Sequence, residues 1–416
     1  MLSTGRIARR WMQVRWVSFS QLGVNPTLVH RLTNMNITDA TAIQEKAIPL
    51  GLKGVSPLAI SSETGSGKTL SYLIPFLNGY CTDPTQRLLV ILPRKELAYQ
   101  LDTVLHKLVP DIQSHLAITK TGEIGRGVYP NVIIGTPKPV YTLVRSVFAK
   151  CNVEKLVAEK RAISTIVLDE ADVILNDPFQ REVLECIRVL TKINRDVKLI
   201  VAGATIPRNG KCTPGGVLDR KYPSITWCEG QNPNTVPPSI QVEFEETADD
   251  AAKAAALQKL APSLRSGSNV VFVQNALRGK AVVEALAAAN VKAQLLCQDM
   301  TDRERELAVK RVLGEEAMCT VCTDIVGRGL DTTRVEMVVQ YDFARDVSSF
   351  LHRCGRTGRN GREGRVMCFV TPENALLYKQ ILGLGVHSDL SSLFSRKRNL
   401  RKKEKKAQKS GSFSPL

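Results

Sequence analysis

The chain has 416 residues, 43% of them hydrophobic, with a mean hydropathy of −0.08 and a net charge of +17. That length allows two or three globular domains, and no stretch approaches the ~20 uninterrupted apolar residues of a membrane-spanning helix. The ten cysteines follow no disulfide-like spacing. Cys319 and Cys322 lie inside an apolar strand-like run and read as small buried hydrophobes rather than a metal or redox pair, which fits a reducing compartment.

The charge sits at the two ends. Residues 1–38 carry +5 with no acid, and the stretch from Arg396 onward carries +8, leaving +4 for the body between them. Two basic ends on a nearly balanced core point to a polyanionic partner, with the tail as its first grip. Within residues 1–18, Leu2, Ile7, Trp11 and Val14 would share one side of a helix, with several arginines opposite. This composition fits a mitochondrial transit peptide; the competing reading is a disordered basic leader that touches the polyanion.

From Phe19 to Pro49 the pattern predicts helical hairpins, ending in Ala42-Ile43-Gln44, followed by a strand over Pro57–Ser61. Next comes Ser62-Glu63-Thr64-Gly65-Ser66-Gly67-Lys68-Thr69. Gly65 and Gly67 can turn successive N–H groups toward phosphate oxygens, Lys68 offers a point charge to the outer phosphates, and Thr69 offers a hydroxyl to Mg²⁺. Leu70, Leu73, Ile74 and Leu77 then recur at helical spacing, so a helix N-terminus faces the phosphates.

Short apolar runs alternate with helical segments beyond this loop: Leu88–Leu92, Val132–Ile134, Thr165–Leu168 and Leu199–Ala202. Strands apolar throughout imply a parallel sheet covered on both faces. Asp169 and Glu170 come directly off the end of the third, at the sheet edge where such folds bind ligands. An acidic pair there can hold Mg²⁺ through water and activate an attacking water. Loop and carboxylates together make a nucleotide hydrolysis site.

Residues 206–239 break the rhythm, most clearly at Asn232-Pro-Asn-Thr-Val-Pro-Pro238, and read as ending in a linker. A second alternation follows, with strands at Val270–Val273, Ala293–Leu296, Met318–Val321, Val335–Gln340 and Val366–Val370, and Ala-rich helices at Ala251–Leu260 and Lys280–Ala289. It has no second phosphate loop. The predicted organisation is a leader (1–18), an α/β domain (19–228), a linker (229–239), a second α/β domain (240–385) and a basic tail (386–416) expected to be disordered in isolation.

These motifs resemble the DEAD-box RNA helicases, ATP-dependent enzymes of two RecA-like domains, over Phe19 to about Pro372. The resemblance rests on Asp169-Glu-Ala-Asp172, the phosphate loop, Val270-Val-Phe-Val-Gln-Asn275, Thr323-Asp324-Ile-Val-Gly-Arg328-Gly329-Leu-Asp331 and His352-Arg353-Cys-Gly355-Arg356-Thr-Gly358-Arg359. It implies ATP and Mg²⁺ as ligands, with Asp169 and Glu170 serving the metal and water, and Glu170 as general base. It further implies that Gln44 reads adenine, Phe19 stacks on the base, Asp331 takes the ribose, and Arg356 and Arg359 act as arginine fingers across a closing cleft. RNA would be held by its backbone, by Arg94, Lys95, Gly122, Thr136, Arg305, Thr323 and Arg328. The family default is a monomer.

Departures from the family pattern cluster in the RNA-handling elements. The chain has Arg94-Lys95 in place of Thr-Arg, Thr121-Gly122 in place of Gly-Gly, Thr136-Pro-Lys-Pro139 in place of Thr-Pro-Gly-Arg, and Asp302 where Gln is usual. Gly203-Ala-Thr205 replaces Ser-Ala-Thr, and Ser62 replaces Ala at the head of the phosphate loop. The expected function is an RNA-dependent ATPase that opens short duplexes or remodels RNA–protein complexes, in mitochondrial RNA or ribosome maturation, or otherwise in nucleus or cytoplasm. The alternative is an ATP-gated RNA clamp or assembly scaffold with little unwinding. A DNA translocase fits the DEAD tetrad and Gln44 less well.

Overall fold

The structure, a computed structural model, describes residues 17–119, 129–146, 148, 153–159, 161–175, 179–208, 213–230, 234–297, 299–300, 304, 307–308, 318–324, 334–359 and 362–394. The leader ahead of Val17, the tail beyond Phe394, and Gly122, Arg305, Arg328 and Asp331 lie outside the described residues.

The N-terminal domain runs β1 (Val17–Ser18), α1 (Pro26–Asn34), β2 (Asp39–Ala40), α2 (Ala42–Leu52), β3 (Leu58–Ser61), α3 (Lys68–Thr82), β4 (Leu88–Ile91), α4 (Lys95–Leu108), β5 (Ser114–Ala117) and β6 (Val132–Gly135). It continues through α5 (Pro137–Ser146), α6 (Val153–Ala158), β7 (Thr165–Leu168), α7 (Ala171–Ile174), α8 (Gln180–Ile193), β8 (Lys198–Gly203), α9 (Pro214–Lys221) and β9 (Thr226–Glu229). The C-terminal domain runs β10 (Ile240–Glu246), α10 (Asp250–Leu264), β11 (Ser268–Val273), α11 (Ala276–Ala288), β12 (Ala293–Leu296), β13 (Met318–Thr323) and β14 (Val335–Gln340). Then come α12 (Val347–Cys354), β15 (Gly364–Val370), α13 (Ala375–Leu384) and α14 (Ser391–Phe394).

The first sheet has the order β5-β6-β4-β7-β8-β3-β9 and the second β10-β15-β14-β11-β13-β12. Every pairing within these two sheets is parallel. Side chains alternate between the faces of a strand, so a sheet covered on both sides needs apolar residues at every position. The strands comply: Leu88, Val90 and Val167 enter one core cluster, while Leu89, Ile91, Ile166 and Leu168 enter the cluster on the opposite face. In the second sheet Val270 and Phe272 face one core and Val271 and Val273 the other. Cys319 and Cys322 are fully buried free thiols on β13, pushed up to about 12 by burial.

Three elements differ from the sequence reading. Residues 206–239 hold α9 and β9, and β9 extends the first sheet by pairing with β3 through Glu229. The segment from Phe19 to Pro49 is not purely helical, because β1 and β2 form an antiparallel ribbon pairing Val17 with Ala40. Finally, β5 and β10 occupy the sheet edges and were not evident as apolar runs.

Topology places the site. Strands β7, β8 and β3 are neighbours, so the loops leaving their C-terminal ends converge: Asp169-Glu170, Gly203-Ala204-Thr205, and the phosphate loop.

Candidate active site

The phosphate loop enters α3 through Gly67, which sits in the left-handed region at φ +91° and caps the helix. A Cβ there would lie 2.3 Å from Gln44 Nε2, so this turn requires glycine on two counts. Gln44 is buried and spends its amide on the loop: Nε2 donates to Gly67 O at 3.0 Å, while Oε1 accepts from Thr41 N at 2.9 Å and completes a capping box on α2. Thr41 Oγ1 also donates to Ser66 O at 2.6 Å. Gln44 and Thr41 therefore hold the loop from below.

Lys68 is turned back on its own loop. Its Nζ donates to Ser62 O and Glu63 O, each at 2.7 Å. Burial pulls its pKa down, opposed by Asp169, Asp172, Glu63 and Glu170. A cation facing four carboxylates and two carbonyls is positioned to exchange the carbonyls for an anionic ligand. Ser66 Oγ is buried without a partner in the same loop, the kind of orphan a bound anion would satisfy.

The carboxylates off β7 differ from each other. Asp169 is anchored twice, by Tyr72 Oη at 2.8 Å on Oδ2 and by Glu170 N at 2.8 Å on Oδ1. Burial pushes Asp169 up to about 6, with Glu170 adding to the rise and the Tyr72 hydrogen bond opposing it. Thr69, which supplies the hydroxyl of the phosphate loop, lies near the Tyr72 hydroxyl and counters part of the rise that burial and Asp169 impose on its pKa. Glu170 holds a left-handed backbone (φ +48°, ψ +49°), a strained state for a side chain with a Cβ, and its Oε2 is buried without a hydrogen-bond partner. Strain and an orphaned carboxylate oxygen coincide where the motif expects a base.

The second domain closes over this edge. His352 Nε2 lies 2.5 Å from Asp172 Oδ2, and Thr205 Oγ1 bonds the same oxygen at 2.8 Å and Ser348 Oγ at 3.2 Å. Thr64 Oγ1 donates to Gly355 O at 3.0 Å across the cleft. Arg359 packs on the phosphate loop, with its Cγ, Cδ and Nε within 3.3–3.5 Å of where a Cβ of Gly65 would stand. Arg356 is buried, with Nε donating to His352 O at 3.1 Å. Farther along, Arg94 Nη2 donates to Asp324 O at 3.3 Å, and Arg353 grips the Asp324 carboxylate at 2.6 and 2.9 Å.

Several expected site residues sit differently. Phe19 is 1% exposed and packs in the core with Leu28 and Leu32, so its ring has no face for a base. The Ser62 hydroxyl is buried against Glu63 Oε2 at 2.8 Å rather than open to a nucleotide. Thr323 ends β13 with its hydroxyl covered and unbonded, so it is not presented at the surface. Arg94 and Lys95 open α4, and Thr136 opens α5, all three at the strand-end edge. Tyr72, Asp172, Thr205 and His352 complete the constellation; the motifs contained the last three, but only the fold joins them.

Residues 41–212 match the DEAD/DEAH box helicase family model and residues 252–361 match the helicase conserved C-terminal domain. An ATP-dependent RNA helicase, dbp8, of Schizosaccharomyces pombe is 30% identical over 376 residues, covering 88% of this chain and 81% of that protein. The DEAD-box ATP-dependent RNA helicase RhpA of Helicobacter pylori is 28% identical, covering 88% of this chain and 71% of that one. The structure of S. cerevisiae Dbp5 bound to RNA and ADP BeF3 superposes with a TM-score of 0.74 at 25% identity, covering 94% of this chain and 99% of that one. The parallel sheets, the loop–carboxylate edge and the arginines closing over it are those of two RecA-like domains, and the chain belongs to the DEAD-box family of ATP-dependent RNA helicases, which are ATP hydrolases.

Proposed function

We propose that this enzyme couples ATP hydrolysis in the closed cleft to local opening of short RNA duplexes or remodelling of RNA–protein complexes, holding RNA by its backbone across both domains. The observation that carries this reading is the buried contact of Asp172 with His352, which makes the hydrolytic strand end and the C-terminal domain one unit.

Thr69, Asp169 and Glu170 suit Mg²⁺ held largely through water, because no group of three His, Cys, Asp or Glu among the described residues could enclose an ion alone. Mg²⁺ bound with ATP would neutralise charge on the transferred phosphoryl group. Lys68 exchanges Ser62 O and Glu63 O for phosphate oxygens. Glu170, with an oxygen already desolvated, takes the proton of the attacking water. Arg359, braced on Gly355 O at 3.0 Å, meets developing charge from the opposite domain.

RNA is assigned to Arg94, Lys95 and Thr136 at the strand-end edge, joined by Gly122, Arg305 and Arg328 from the motif pattern. Residues 1–18 are assigned to mitochondrial import, with RNA or ribosome maturation as the setting; a fusion of these residues to a fluorescent protein that stays cytosolic would remove that assignment. A second reading, an ATP-gated RNA clamp, is favoured by Gly203, where a side chain would collide with Ile206. ATP turnover with and without single-stranded RNA, beside Glu170→Gln, tests the first reading. Strong stimulation lost in the variant supports it; bound ATP and RNA with no stimulated turnover supports the clamp.

A further inference from the structure

The N-terminal domain carries a second charged feature at the edge of its sheet opposite the phosphate loop. Here Ser56 and Pro57 lead into β3, Asp196 and Val197 lead into β8, and Tyr222 follows α9. These segments line an open surface hollow of about 380 Å³. At about 3.3 Å per residue, β8 separates Lys198 at this edge from Gly203 at the catalytic edge by roughly 17 Å.

Arg195 and Lys198 line the hollow and are exposed, and neither forms an ion pair among the described residues. The Nζ of Lys221 stands 5.8 Å from the ring centroid of Tyr222, another lining residue. Glu185, the carboxylate whose charge acts on Lys221, is already held by Arg188 at 2.8 and 2.5 Å. Asp196 is the one carboxylate in the lining. Thr191 and Tyr222 add hydroxyls, while Ile187 and Leu199 give an apolar floor. Arg195 and Lys198 in the lining, with Lys221 beside it next to Tyr222, are exposed cations that outnumber the one lining carboxylate and leave this hollow positively charged.

We propose that this edge is a second RNA-binding surface, gripping by its sugar–phosphate backbone a segment of the same RNA that flanks the one engaged in the cleft. The proposal rests on the reading that RNA is the substrate. Charge complementarity supplies the attraction, the Tyr222 hydroxyl can donate to a phosphate oxygen, and Thr191 Oγ1, which itself donates to Ile187 O at 2.7 Å, can accept from a ribose hydroxyl. A flanking segment is already tethered by the cleft, so weak contacts suffice at its high effective concentration. An acidic polypeptide would have to arrive independently.

The test uses the full chain with Arg195→Glu, Lys198→Glu and Lys221→Glu combined, a milder Gln triple as a folding control, and two single-stranded RNAs. One RNA is long enough only for the cleft and the other is several times longer. Expected for the Glu triple is about a tenfold loss of affinity for the long RNA and a slope of log K against log salt shallower by about 2. Affinity for the short RNA and the ATP turnover it stimulates stay at wild-type levels, and the Gln triple gives a smaller loss in the same direction. Equal losses on both RNAs, or no loss on either, overturn the proposal. Unchanged RNA binding with lost capture of polyglutamate gives the surface to an acidic polypeptide and also overturns it. If the short RNA fails to stimulate the wild-type enzyme, it is instead the reading of RNA as substrate that fails.

Discussion

Asp172 and His352, 180 residues apart in the chain, meet at 2.5 Å with side chains only 2% and 1% exposed. Each is supplied by a different domain, so the contact exists only when the cleft is closed. Removing one partner of such a buried pair typically costs about 3–5 kcal/mol because the other is left desolvated. In the open enzyme Asp172 regains water, so the loss falls on closure rather than on folding. His352→Ala should therefore cut RNA-stimulated turnover by at least about a hundredfold while the midpoint of thermal unfolding moves little. Steady-state kinetics beside calorimetry check this; a large fall in unfolding temperature with normal turnover would refute it.

Tyr72 makes a subtler contribution. Its hydroxyl donates to Asp169 at 2.8 Å, and Asp169 is a half-buried carboxyl that burial drives up to about 6. Deleting the hydroxyl removes a hydrogen bond to a charged group, worth about 1.5–3 kcal/mol. Tyr72→Phe keeps the ring that fills the core, so about a ten- to hundredfold fall in kcat is expected with near-normal stability. Single-turnover hydrolysis with ATP prebound measures the step; an unchanged rate would leave Tyr72 as packing alone.

What the sequence made legible follows from where each residue sits. Thr165–Leu168 is buried on both faces, so its apolar run announced a strand with the right bounds. Ser114–Ala117, Thr226–Glu229 and Ile240–Glu246 stand at sheet edges, where half-exposed positions tolerate His115, Thr226 and Glu243, and no continuous run forms. The phosphate loop and the Asp169-Glu170 pair were readable because local chemistry fixes their spacing. Tyr72 was not, since a hydroxyl among Leu70, Leu73 and Ile74 looks like core until a strand end delivers Asp169 to it. Phe19 was misplaced for the converse reason: its spacing suited a stacking aromatic, but the core beneath α1 takes its whole ring.

Gly203 stands where the family pattern has serine, and the structure gives a steric reason. A Cβ there would lie 2.8 Å from Ile206 Cγ1 and 3.0 Å from Asp172 Oδ1. Gly203→Ser alone should overpack this corner and destabilise the N-terminal domain by about 1–3 kcal/mol. Pairing it with Ile206→Ala opens the room and brings a hydroxyl toward Asp172. The double variant should recover much of the lost stability and raise the yield of duplex opening per ATP hydrolysed. Chemical denaturation and a coupled unwinding assay read both effects; if the double variant remains as unstable as the single one, Ile206 is not the obstacle.

Asp342 supplies a pH test confined to the C-terminal domain. Burial alone would raise its pKa, but Lys253 at 2.9 Å, the Gln274 N–H at 2.8 Å and Arg278 at 2.6 Å outweigh that and hold it below the usual carboxylate range. A depressed folded-state pKa means the unfolded chain binds the proton more readily. The stabilisation is therefore complete above the unfolded value of about 3.9 and is lost as pH falls below it through the folded value. Asp342→Asn leaves buried Lys253 with only the exposed Asp250, at 3.3 Å, as a carboxylate partner and should cost about 1.5–3 kcal/mol at neutral pH. The variant's deficit should shrink as pH drops below about 4, because the wild-type carboxylate is then neutralised too. Urea unfolding of both proteins at neutral and acid pH measures the gap, and a gap that stays constant would show that the ion cluster is not what links this domain's stability to pH.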